Sequence, residues 1–190
     1  MRIIPPLRTL LFALVVLAMS SASFAQINAE MAEILRSYVL NRARSYEPQT
    51  VIDAYAGAGH TAISLSESGS RVTAIELDPD ASEWSASRLP DPSSAIRARV
   101  EDALPGLLPA DLVLLNPPRA GVDSRVTATL EAEAGHLRGV IYVSCDPATL
   151  ARDLARLPSY RIESLHAFDM IPQTAHVETV CELRPEVAAT

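Results

Sequence analysis

Along most of the chain, short apolar runs alternate with stretches of helical periodicity. The runs are Val51–Tyr55, Val72–Leu77, Ile96–Val100, Leu112–Leu115 and Val140–Ser144. Between most of them, residues 61–68, 80–88, 123–135 and 147–157 are spaced as helices, and residues 29–41 place Met31, Ile34, Leu35, Tyr38 and Val39 on one helical face. Continuous apolar strands separated by helices read as a parallel sheet covered on both faces. The end of the chain breaks the pattern. Arg161–Met170 and Val177–Leu183 are both strand-like, and the link Ile171-Pro172-Gln173-Thr174 leaves no room for a crossover helix. Strands joined so closely pair antiparallel. The expectation is an α/β fold with a mostly parallel, seven-stranded sheet and a C-terminal antiparallel strand pair.

Composition adds boundaries to this picture. The chain has 190 residues, of which 48% are hydrophobic and 21% charged, which suits one globular domain over residues 26–190. Residues 1–25 stand apart as an apolar N-terminal segment. Arg2 and Arg8 precede the run Leu10–Met19, and Ser23-Phe24-Ala25 resembles a cleavage site. The segment reads as a secretory signal or as a buried element of the domain. The run is short of the roughly 20 residues of a membrane span, so no stable span is expected. All positive charges are Arg, and the net charge of -7 provides no basic footprint for gripping nucleic acid unaided. Cys145 and Cys181 form neither a metal-ligand spacing nor a disulfide framework. No metal is expected.

Three segments carry candidate chemistry. Residues 51–59, VIDAYAGAG, end a strand in Gly57-Ala58-Gly59, where a ligand can approach the backbone at a helix N-terminus. Glu76 closes the next strand and can accept hydrogen bonds from two ribose hydroxyls. Gly57–Ala62 also fits an Ala-ending dinucleotide fingerprint, so nicotinamide binding is an alternative. Asp53, four residues before Gly57, favours S-adenosylmethionine instead. After the fourth run, Asn116-Pro117-Pro118-Arg119 ends the strand stiffly and holds the Asn116 amide at the sheet's C-terminal edge. After the fifth run, Cys145 lies in YVSCDPATLARDL, between strand and helix. The position suits a nucleophile, although a lone cysteine is often plain core.

Four segments resemble the RNA uracil-5-methyltransferases of ribosomal RNA and tRNA: SFAQIN (23–28), NPPRAG (116–121), YVSCDPATLARDL (142–154) and FDMIPQTAHVETV (168–180). The Asn-Pro-Pro-Arg form and LPSYRIESLHAFDM (157–170) look most like a ribosomal-RNA branch. The resemblance implies a Rossmann-like class I methyltransferase fold, S-adenosylmethionine as cofactor and an RNA substrate. It also implies Cys145 as nucleophile and Glu178 as base. Gln26, Tyr55, Glu76 and Asn116 fall on its cofactor positions, with Asp102 near the adenine. His60 and Ala25 depart from the usual pattern. His176, Asp169 and Gln173 read as structural, and Arg119 meets either substrate phosphate or a nearby acid. Many relatives carry further RNA-binding domains, so a separate domain or chain is a candidate partner. Both RNA and cofactor belong to the cytoplasm, in conflict with the signal-like start. Open alternatives are an amino-group methyltransferase using Asn-Pro-Pro, a truncated or non-catalytic cofactor-binding domain, and, more remotely, an oxidoreductase.

Overall fold

The computed structural model describes residues 30–170 and 177–186. The signal-like segment, Gln26, Gln173, His176 and the link Ile171–Thr174 lie outside the described residues. The strands are β1 (Thr50–Ala54), β2 (Arg71–Glu76), β3 (Ser94–Arg97), β4 (Leu112–Leu115), β5 (Gly139–Ser144), β6 (Tyr160–Asp169) and β7 (Val177–Pro185). The helices are α1 (residues 30–44), α2 (His60–Glu67), α3 (Pro79–Ala86), α4 (Val100–Ala103), α5 (Ser124–Ala132) and α6 (Pro147–Leu154). They cover a single sheet of order β3-β2-β1-β4-β5-β7-β6. The first five strands run parallel, and β7 enters antiparallel between β5 and β6. The expected fold class is borne out.

The apolar runs are continuous because both faces of the central strands are buried, and their alternate residues feed two cores. Ile52, Val113, Leu115, Val140 and Tyr142 pack with Val126, Leu130 and Leu150 of α5 and α6. Val51, Leu112, Leu114, Ile141, Val143 and Val180 pack with Val39, Leu40 and Ala43 of α1 and with Ala62 and Leu65 of α2. Three helices begin where the sequence supplies an acid cap: Asp78, Asp123 and Asp146 accept backbone N–H groups of α3, α5 and α6.

Most strand ends lie within two residues of the apolar runs, and the run Ile96–Val100 departs furthest: β3 ends at Arg97 and Val100 opens α4. Val100 is apolar because it is buried at the start of that helix. Apolarity alone does not distinguish the two settings.

Helix α1 is fastened to the sheet through a buried carboxylate. Glu182 on β7 is fully buried. It accepts hydrogen bonds from Arg42 Nε at 2.8 Å, Tyr46 Oη at 2.6 Å and Ser164 Oγ at 3.1 Å. Burial alone raises a carboxyl pKa, but the bonds from Tyr46, Arg42 and Ser164 outweigh it and hold Glu182 below its ordinary value. The Tyr46 side chain lies against Gly139, where a Cβ would come within 2.6 Å of the ring. The glycine therefore makes the room in which Tyr46 reaches Glu182. Removing Glu182 leaves the buried Tyr46 hydroxyl without its partner, while Arg42, about one third exposed, can turn to water. Glu182→Ala is expected to lower unfolding stability in urea by about 1–3 kcal/mol, whereas an unchanged stability would show that the network does not fasten α1.

Candidate active site

The site forms where β1 turns into α2. Tyr55, Gly57 and Gly59 have φ of 61°, 54° and 72°, so the chain curls left-handed off the end of the strand. Glycine adopts this region freely, and Tyr55 is held there against its own preference. A Cβ on Gly59 would also overlap the Ser85 side chain of α3. The turn is tied to β2 by Glu76, whose two carboxylate oxygens accept Gly57 N–H and Asp78 N–H, both at 2.8 Å.

Two cavities open at this edge. The larger, about 780 Å³, is lined by Glu76, Leu77, Val100, Glu101, Val122 and Arg152, among others. The smaller, about 200 Å³, lies under α1 and is lined by Leu35, Arg36, Val39, Asp53, Thr61 and Val143, among others. Tyr55 and Asn116 line both and form the wall between them. Asp53 is only 4% exposed. Burial, with Glu76 adding to it and the Ala62 N–H opposing it, pushes its carboxyl up to about 7.

The loop after β4 is pinned from both ends. Asn116 N–H donates to Ala54 O at 3.2 Å. Further on, Val122 N–H donates at 3.0 Å to the fully buried Asp153 of α6, which also accepts Tyr142 Oη at 2.8 Å. Gly121 has φ 77°, and a Cβ there would overlap Asp153. Arg152 Nη2 completes the clamp by donating to Ala120 O at 2.7 Å. A carboxylate among Leu150, Leu154 and Leu157 on one helical face was the available sequence signal for this role.

Cys145 and Glu178 stand at the same edge. β5 pairs antiparallel with β7, with Ser144 opposite Thr179. Cys145 and Glu178 are therefore the next positions outward along the two adjoining strands. Glu178 is opposite Phe168 on its other side. By strand alternation it falls on the face of Val180 and Glu182, the face covered by α1 and bordering the small cavity. Both thiols are free, with Cys145 partly exposed and Cys181 buried. Burial and the neighbouring Glu182 push Cys181 up to about 11. Burial also raises the Glu178 carboxyl, with Arg119 opposing. Arg119 acts likewise on Asp146, the cap of α6, whose carboxyl is lowered first by Thr149 N–H. Its guanidinium therefore lies within reach of both acids.

Of the expected cofactor residues, Tyr55, Glu76 and Asn116 line cavity walls, while Gly57 and Gly59 build the turn. Asp102 is not among the residues that line the large cavity; its carboxylate accepts Arg125 Nη1 at 2.8 Å, while the preceding Glu101, paired with Arg99, lines the cavity. Among the described residues, no group of three or more His, Cys, Asp or Glu could hold a metal ion, and no helix is long and apolar enough to cross a membrane.

Comparison with known proteins agrees with this geometry. Residues 99–185 match the family model for tRNA (uracil-5-)-methyltransferases. The chain is 34% identical over 163 residues to the 23S rRNA (uracil(747)-C(5))-methyltransferase RlmC of Vibrio cholerae, covering 83% of this chain and 43% of that protein. It is 35% identical over 179 residues to an uncharacterized RNA methyltransferase of Bacillus cereus, with 88% and 38% covered. Among solved structures, the Pyrococcus abyssi tRNA (uracil-54, C5)-methyltransferase in complex with S-adenosyl-L-homocysteine superposes with a TM-score of 0.69 at 29% identity, over 78% of this chain and 38% of that one. The N-methyltransferase NodS of Bradyrhizobium japonicum, at 13% identity and a TM-score of 0.65, shares the fold alone. The chain spans about two-fifths of the length of these RNA-methylating relatives. In its motifs and fold, and over the stretch these matches share, the chain is similar to the RNA uracil-5-methyltransferases.

Proposed function

We propose that this chain is the catalytic domain of an S-adenosylmethionine-dependent enzyme that methylates carbon 5 of uridine in RNA, with Cys145 as nucleophile and Glu178 as base. The observation that carries this reading is the β5–β7 register. It leaves a partly exposed thiol and a half-buried carboxyl as neighbours on the same sheet edge that carries Asn116 after β4 and the glycine turn after β1.

The residues fit the cofactor. Glu76 lines the large cavity and keeps lone pairs beyond its two backbone bonds, which suits a ribose diol. Ile75, Val100 and Val122 offer apolar surface for a purine. Asp53 Oδ2, buried and without a hydrogen-bond partner among the described residues, suits an ammonium group in the small cavity. When bound, S-adenosylmethionine supplies an electrophilic methyl group.

Carbon 5 of uracil is too weak a nucleophile to take that methyl group unaided. Addition of the Cys145 thiolate to carbon 6 makes an enolate whose carbon 5 is reactive. Glu178 then removes the carbon-5 proton, and the thiolate leaves as the double bond re-forms. The raised Glu178 carboxyl is a stronger base than an exposed glutamate. Ribosomal RNA is the preferred substrate, from the Asn-Pro-Pro-Arg motif and the likeness to a 23S rRNA enzyme. RNA and cofactor together assign the reaction to the cytoplasm. The net charge of -7 gives the chain no excess of positive charge for gripping phosphates, so a further RNA-binding domain or chain is part of the proposal. A second reading rests on Asn116, which faces both cavities and suits methylation of an exocyclic amine; that chemistry needs no thiol.

Nucleoside analysis after incubation with total ribosomal and transfer RNA separates the two. Wild-type protein should yield 5-methyluridine, and Cys145→Ala should yield none; an active Cys145→Ala transfers the assignment to the amine reading. Glu178→Gln should slow turnover by about 10²–10⁴-fold and leave protein covalently joined to methylated RNA on a denaturing gel. Glu76→Ala should abolish most of the rise in melting temperature given by saturating cofactor. An unchanged rise would exclude Glu76 from the cofactor site.

A further inference from the structure

Asp53 occupies the α1-covered face of β1, beside Val51. Its carboxyl meets the Ala62 N–H in the first turn of α2, while Oδ2 has no hydrogen-bond partner among the described residues. The groups facing it do little to neutralise it. From α1, Arg36 lines the same cavity, but its guanidinium is paired with Glu33. From β2, Glu76 adds like charge. Tyr55, at the end of its own strand, is pushed up to about 12, chiefly by burial, and stays neutral. Among the described residues, the Asn116 amide beyond β4 and the Thr61 hydroxyl complete the polar surroundings. A carboxylate so placed, in a cavity of about 200 Å³ with apolar walls at Leu35, Val39 and Val143, is costly until a cation joins it.

We propose that the small cavity is a cation subsite whose Asp53 gives up a proton to solvent as the ammonium end of the cofactor enters, making cofactor binding proton-coupled. The inference rests on the cofactor reading above. Only an O–H bond breaks: a neutral carboxyl and an incoming ammonium become a carboxylate–ammonium pair, and the proton passes to buffer. With the carboxyl near 7 before binding, about half a proton leaves per cofactor at pH 7 and nearly a whole one at pH 6. Affinity therefore weakens by about fivefold from pH 7 to pH 6.

Titration calorimetry of the full chain with S-adenosylhomocysteine, in pairs of buffers of unequal ionisation heat, reads the proton directly. The expected result is release at pH 6 and 7 that Asp53→Asn abolishes. 5′-Methylthioadenosine, which lacks the ammonium, should bind without release. Ligand-free stability provides an independent readout. The raised carboxyl stabilises the folded chain below about pH 4, and that contribution is lost as pH rises through 7. The melting temperature of Asp53→Asn relative to wild type should therefore climb between pH 5 and pH 8. Binding with buffer-independent heat and pH-flat affinity overturns the coupling while leaving the cofactor reading intact. Equal release with methylthioadenosine overturns the ammonium assignment. Absence of binding to folded wild-type chain at every pH overturns both.

Discussion

A buried carboxylate sets the frame on which the site depends. Glu182 ties β7 to α1 through Arg42 and Tyr46 and to β6 through Ser164. Side chains alternate along a strand, so a slip of one residue would turn every β7 side chain to the opposite face. Glu178 lies four positions from Glu182 and so shares its face. The bonds that fix Glu182 therefore also decide which face of the sheet Glu178 takes. A buried ion pair is a poor source of net stability, but it is suited to specifying one arrangement over its near neighbours.

The same economy governs the other side of the site. Asp153 is fully buried, and it spends one oxygen on Val122 N–H and Tyr142 Oη while the other meets Arg152 and Arg156. It holds the loop after β4, and with it Asn116, against α6. Cys145 begins the turn into that helix. Loop, thiol and ladder end are thus referred to a common scaffold, the form of preorganisation that covalent catalysis needs. The wall formed by Tyr55 and Asn116 divides the edge into a roomy compartment bordered by Glu76 and a tight one bordered by Asp53.

Much of the fold was legible because the central strands are buried on both faces and so appear as uninterrupted apolar runs. The antiparallel ending followed from a link too short for a helix. What the sequence did not reveal depends on tertiary partners. Val100 looks the same in a buried strand and at a buried helix start. Glu182 and Asp153 read as ordinary acids until Tyr46, Arg42, Val122 and Tyr142 are brought to them. Asp53 was noticed for its place before the glycines, but its orphaned oxygen is visible only once α1 closes over it. Glu178 acquires its significance from a register with β5 that no local pattern contains, and it was named only through likeness to a family.

The central claim is that Cys145 adds to the pyrimidine ring. It is tested most directly by incubating the protein with RNA containing 5-fluorouridine, whose fluorine blocks the proton-abstraction step and traps the adduct. Peptide mass spectrometry after nuclease digestion should find a methylated fluorouridine nucleotide on Cys145, formed only when S-adenosylmethionine is present. Folded protein that methylates ordinary RNA yet forms no such adduct, or one that maps to a residue other than Cys145, would contradict the account.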